Sequence, residues 1–171
     1  MSSPTSTVET VPDTLLAHLR QVVEHAGSHP DAAVCDLLRI LQAEYGWIDD
    51  ARLHLVAALC GISAVRVEEL CTFYPLVLRE NPGRHVLRIC DSVACHLAGA
   101  HNLLAQAETQ SGVALGQSNG HYSVLPHACL GLCDRAPAAF VDGQEIVAPL
   151  TAELLQRQLQ RWEDEACVSS P

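Results

Sequence analysis

An α+β fold is predicted for this chain of 171 residues: a bundle of helices in the first half, then a smaller domain of helices packed on a short mixed sheet. Three observations carry the prediction. Apolar residues recur at helical spacing from Leu15 to Leu70. A turn-rich break, Arg79-Glu-Asn-Pro-Gly-Arg84, follows them. Beyond it the pattern turns to short apolar runs of strand type, such as His85 to Cys90 and Tyr122 to Leu125.

The elements follow in order. Asp13 can cap a first helix whose apolar positions Leu15, Leu16, Leu19, Val22, Val23 and Ala26 fall on one face, with Gly27 closing it. Pro30 and Asp31 open a second, striped by Val34, Leu37, Leu38 and Leu41 and stopped at Gly46. Asp49 or Asp50 starts a third, carrying Leu53, Val56 and Leu59 up to Gly61. Ser63 caps a shorter fourth through Val67 and Leu70, which ends before Pro75. Short loops between four such helices imply an antiparallel bundle. After the break, His85 to Cys90 is a strand, and a helix runs from about Cys95 to Gln110 with Leu97, Leu103 and Leu104 on its apolar side. A strand at Tyr122 leads to Cys129, and Ala138 to Val141 pairs with Glu145 to Val147 as a hairpin across Asp142-Gly143. Thr151 caps a last helix bearing Leu154, Leu155, Leu159 and Trp162. Residues 1–12 are expected to be a disordered segment, 13–78 the bundle, 84–163 the second domain and 164–171 a frayed tail.

Composition limits the function. The formal net charge of −10 excludes a nucleic-acid surface, which needs clustered positive charge. The start, Met1-Ser-Ser-Pro, has neither the basic residues nor the apolar run of a signal peptide. No stretch of about 18 apolar residues is present, so no direct membrane insertion is expected. The expected compartment is the cytoplasm, where the eight cysteines are thiols or metal ligands rather than disulfides.

Four of those cysteines stand in two tight pairs, Cys90 and Cys95 in CDSVAC and Cys129 and Cys133 in CLGLC. Each pair follows a predicted strand, and strand ends bring loops together at a sheet edge. Four thiolates so placed suit a [2Fe-2S] cluster, which needs two per iron, and hence one-electron transfer. Structural zinc also takes four cysteines, but its usual knuckles leave about two residues between partners. A catalytic dithiol needs Cys-x-x-Cys, which is absent. Four unrelated core cysteines are the remaining alternative. His96 and His127 adjoin the pairs and raise the two-histidine Rieske arrangement, yet four cysteines leave them surplus. Cys35, Cys60 and Cys71 read as small core hydrophobes, and Cys167 belongs to the tail. Tyr45, Trp47, Phe73 and Tyr74 read as core or bundle-to-domain contacts, with a partner-interface anchor as the alternative. Asp134 and Arg135 read as a solvated ion pair, and Pro137, before a strand, as a proline for which trans is favoured and a tight-turn cis form is the alternative. No phosphate loop, serine–histidine–acid set or paired carboxylates stand out, so no catalytic residue is assigned.

The segments ILQAEYGWID, ELCTFYPLVLRENPGRHVLRIC, CDSVAC and CLGLCDRAPA resemble the thioredoxin-like [2Fe-2S] subunit of NADH:quinone oxidoreductase, respiratory complex I. The resemblance runs from about Leu15 to about Trp162 and includes C-x4-C followed by C-x3-C. It implies Cys90, Cys95, Cys129 and Cys133 as cluster ligands, on an N-terminal helical bundle joined to a thioredoxin-like [2Fe-2S] ferredoxin domain. It also implies a partner flavoprotein subunit holding FMN, NADH and a [4Fe-4S] cluster, a further iron–sulfur subunit, and a place peripheral to the inner membrane within a larger complex. The same subunit type serves NAD-dependent formate dehydrogenases and NAD-reducing hydrogenases, which stand as the alternative parent assemblies.

Overall fold

The computed structural model describes residues 11–168. They fall into two compact units that divide between Glu80 and Asn81. Residues 1–10 of the expected disordered segment lie outside the described residues.

The first unit is helical: α1 (Asp13–His25), α2 (Val34–Tyr45), α3 (Asp50–Cys60) and α4 (Ala64–Phe73), with a 3-10 turn over Pro30–Ala33 before α2. Two caps form as the sequence predicts. Asp49 Oδ1 accepts the Arg52 N–H at 2.8 Å, and Ser63 Oγ accepts that of Arg66 at 3.2 Å. Asp13, by contrast, is the first helical residue and caps nothing; Pro12 takes the cap position and its carbonyl accepts from Leu16. Leu19, Val34, Leu37, Leu38, Leu41, Ile48, Val56 and Val67 are all fully buried together. Each such side chain contributes about 1.5–3 kcal/mol of transfer free energy. One assignment is corrected: Cys35 is exposed rather than core, because it sits one position off the Val34–Leu38–Leu41 stripe. Of the readings for Phe73 (74% exposed) and Tyr74 (42%), the core one is excluded, since α4 ends there and turns both rings outward.

The second unit carries a four-stranded mixed sheet in the order β2-β1-β3-β4, from β1 (His85–Cys90), β2 (Tyr122–His127), β3 (Ala139–Val141) and β4 (Glu145–Val147). Its helices are α5 (Val93–Leu97), α6 (Ala100–Ser111) and α7 (Ala152–Val168). β1 runs parallel to β2 and antiparallel to β3, and β3 to β4 is the predicted hairpin. Alternation along the strands sends Leu87, Ile89, Tyr122, Val124, Ala139 and Val141 into one core with Leu103, Leu104, Leu155, Leu159 and Trp162 of α6 and α7. The entry to β1 requires a glycine: Gly83 has φ +84°, and a Cβ there would lie 2.6 Å from the His121 carbonyl carbon.

Here too the structure departs from expectation. The single helix expected from Cys95 is two, because Gly99 at φ +93° breaks the run. Leu97, stranded on the short α5, is 83% exposed instead of facing the core. The Ala136–Pro137 bond is cis. α7 continues through the expected frayed tail to Val168, and residues 169–171 lie outside the described residues. That extension is tied down by Tyr122, whose hydroxyl donates to Glu163 Oε1 at 3.1 Å, and by His85, whose Nε2 lies 3.3 Å from Glu165 Oε2.

Candidate metal centre

Parallel pairing of β1 with β2 creates the site. Cys90, the last residue of β1, is the register partner of His127, the last residue of β2. Two parallel neighbours end at the same sheet edge, so the loops carrying the two cysteine pairs leave from one place. The Asp91 N–H donates to the His127 carbonyl at 2.8 Å, and the Cys90 N–H to the Ala138 carbonyl at 2.9 Å, which locks that edge. Cys95 follows on α5. Cys90 and Cys95 are both 2% exposed, packed with the buried small residues Ala100 and Ala138 and flanked by Leu130 and Leu132. Cys129 and Cys133 are exposed on the second loop, where Cys133 opens a 3-10 turn to Arg135.

The thiols are mutually close. The Cys90 and Cys95 side chains shift one another's acidity, Cys129 shifts that of Cys133, and Cys133 feels the charge of Cys90. Backbone N–H groups point at the sulfurs: those of Ser92 and Leu130 at Cys90, that of Ala138 at Cys95, and that of Gly131 at Cys129 Sγ at 3.4 Å. Gly131 reaches this geometry at φ +76°. These contacts set the acidities. Burial pushes the Cys90 thiol up, but the Ser92 and Leu130 N–H groups and the Cys95 thiol outweigh it, and the net shift is down. Cys95 is raised, by burial first and then by Cys90. Cys133 is raised by the charge of neighbouring Cys129.

Among the described residues, no three Cys, His, Asp or Glu side chains converge around one ion. The donors instead come as two pairs. A mononuclear zinc site needs four donors on one point, whereas a diiron cluster needs two thiolates at each iron. N–H groups aimed at sulfur are the contacts that stabilise and tune such clusters. The residues present therefore fit a [2Fe-2S] cluster. His96 stands apart, exposed, 3.5 Å from Asp91 Oδ1 and tilted against His101. His127 is half-buried and its pKa is lowered, by burial first and then by Arg88.

Arg88 is a residue near this edge that motif spacing does not single out. It is 4% exposed, in the middle of β1. The available signal was an arginine inside an otherwise apolar strand.

Two cysteine pairs on neighbouring loops at one edge of a mixed sheet backed by two helices suit a small iron–sulfur protein. The chain belongs to the thioredoxin-like [2Fe-2S] ferredoxin family, which matches residues 19–163. Within it, the chain is similar to the E subunit of NADH-quinone oxidoreductase from Escherichia coli (strain K12), 38% identical over 153 residues that cover 86% of this chain and 92% of that protein. The corresponding E subunit of Pseudomonas aeruginosa is 38% identical over 128 residues, covering 72% of this chain and 77% of that one. Among solved structures, an NAD+-reducing [NiFe]-hydrogenase in the H2-reduced state aligns with a TM-score of 0.63 at 23% identity, over 79% of this chain but 22% of the hydrogenase chain. That last likeness is one of fold. No helix among the described residues is long and apolar enough to cross a membrane.

Proposed function

We propose that this chain is the electron-transfer iron–sulfur subunit of an NADH dehydrogenase module, with Cys90, Cys95, Cys129 and Cys133 as the ligands of its [2Fe-2S] cluster. The observation that carries the reading is the meeting of two cysteine pairs at the shared end of parallel β1 and β2. The bound cluster supplies one-electron chemistry, exchanged with the FMN of a partner flavoprotein subunit. The chain's own residues do the rest. Cys90 and Cys95 sit in an apolar nest that excludes water from one side, while the Ser92, Leu130, Ala138 and Gly131 N–H groups hold negative charge on sulfur. Cys129 and Cys133 lie on the exposed side, where a redox partner gains close approach.

Respiratory NADH:quinone oxidoreductase is the assembly favoured by the identity to the bacterial NADH-quinone oxidoreductase subunits. The equivalent subunit of an NAD-reducing hydrogenase or NAD-dependent formate dehydrogenase is the second reading, supported by the fold likeness to the hydrogenase chain. Two measurements test this. Anaerobically purified protein should hold two irons and two acid-labile sulfides per chain and give a paramagnetic signal on reduction. Colourless, zinc-loaded protein would overturn the electron-transfer role. Co-purification from native extract then separates the assemblies: membrane-arm subunits, a molybdenum- or tungsten-containing formate-oxidising subunit, or a nickel–iron hydrogenase.

A further inference from the structure

Residues two apart on a strand share a face. Val86, Arg88 and Cys90 therefore lie together on the face of β1 opposite Leu87 and Ile89, which join the α6–α7 core. Register places Leu125 and Phe140 on either side of Arg88, and His127 beside Cys90. The strand rise puts the Arg88 and Cys90 Cα atoms about 6.6 Å apart. Arg88 is thus buried on the same face of β1 that ends in Cys90, two residues before it.

We propose that Arg88 is a buried electrostatic tuner of the cluster held at Cys90, raising its reduction potential. A cluster with four thiolate ligands carries net negative charge, and reduction adds one electron with no bond made or broken. A fixed positive charge nearby favours the more negative state. At 4% exposure, Arg88 acts through protein rather than water, where a charge is little screened by salt. Asp91 also acts on Cys90 and pulls the other way, but its side chain is 44% exposed and is screened. An arginine keeps its charge even where burial lowers its pKa, which makes it a tuner independent of pH.

This inference rests on the ligand set proposed above, and the two fail separately: a wild-type chain without iron and sulfide sinks that reading alone. The test is a redox titration of the full-length, cluster-loaded protein followed by its paramagnetic signal. Arg88→Met should lower the equilibrium constant for reduction about tenfold, which is 59 mV for a one-electron couple, with iron and sulfide content unchanged. Arg88→Lys keeps the charge and should stay within about threefold of wild type. An unchanged potential in Arg88→Met with an intact cluster overturns the proposal. Should Arg88→Met fail to retain its cluster, Arg88→Lys decides: a fall as large as tenfold with the charge preserved overturns it equally, and a potential near wild type supports it.

Discussion

The two ends of β1 are built on opposite physical plans. At the start of the strand, charge and aromatic stacking close the fold. His85 stacks on Trp162 with ring centroids 4.8 Å apart and an interplanar angle of 7°. Its Nδ1 lies 2.9 Å from Asp142 Oδ2, and its Nε2 faces Glu165. Asp142 in turn accepts the Val86 N–H at 2.8 Å, and its own N–H donates to the Val86 carbonyl at 2.9 Å. At the far end, side chains shrink to Ala100, Ala138 and four thiols, and what the loops offer is a set of donors. One end gathers charged and aromatic side chains; the other gathers small side chains, thiols and backbone N–H groups. A single short strand separates a structural clamp from a candidate chemical site, and the difference lies in the kinds of group each end brings together.

The contrast can be broken at either end. The largest effect is expected from Cys90→Ser or Cys129→Ser, which should abolish or alter the reduced cluster signal, measured with iron and sulfide content. The clamp end should keep its amide protection in hydrogen exchange if the two ends are independent. Next is Trp162→Ala, which removes a side chain 1% exposed from the α7–sheet core. It should cost about 3–5 kcal/mol in urea unfolding. Asp142→Ala is smaller, about 2 kcal/mol from the lost hydrogen bonds and from placing alanine at a left-handed position. Asp142 stands at φ +50°, so Asp142→Gly should cost less than Asp142→Ala by the same assay.

The smallest effect shows only in alkali. Burial, and then the Glu163 carboxylate, raise the Tyr122 pKa from 10 to about 12. A raised pKa stabilises the fold while the group is protonated in both states. That contribution is complete below pH 10 and is lost as pH climbs through about 12. Tyr122→Phe should flatten the decline in stability across this window, and phenolate absorbance should show one of the three tyrosines ionising late.

How far each end was readable in the sequence differs for the same reason. The cysteine pairs are local, and each follows a strand whose apolar run is visible by itself. The clamp joins His85, Asp142 and Glu165, whose separation along the chain leaves no spacing to recognise. The frayed tail expected after Glu163 is helix because partners on β1 and β2 add to the local Gln160–Asp164 and Arg161–Glu165 contacts. Gly99 shows the reverse error, a local breaker passed over in favour of a continuous apolar stripe.

Most of the helical and strand segments, the caps at Asp49 or Asp50 and at Ser63, the hairpin across Asp142-Gly143 and the clustering of four cysteines in two pairs could be read from the chain of letters, because each depends on neighbours within a few residues. Assembly in three dimensions was needed to set β1 and β2 parallel with Cys90 beside His127, to bury Arg88, and to bring His85 to Glu165. Those facts depend on register between distant strands, and register is settled by which faces bury together when the sheet forms.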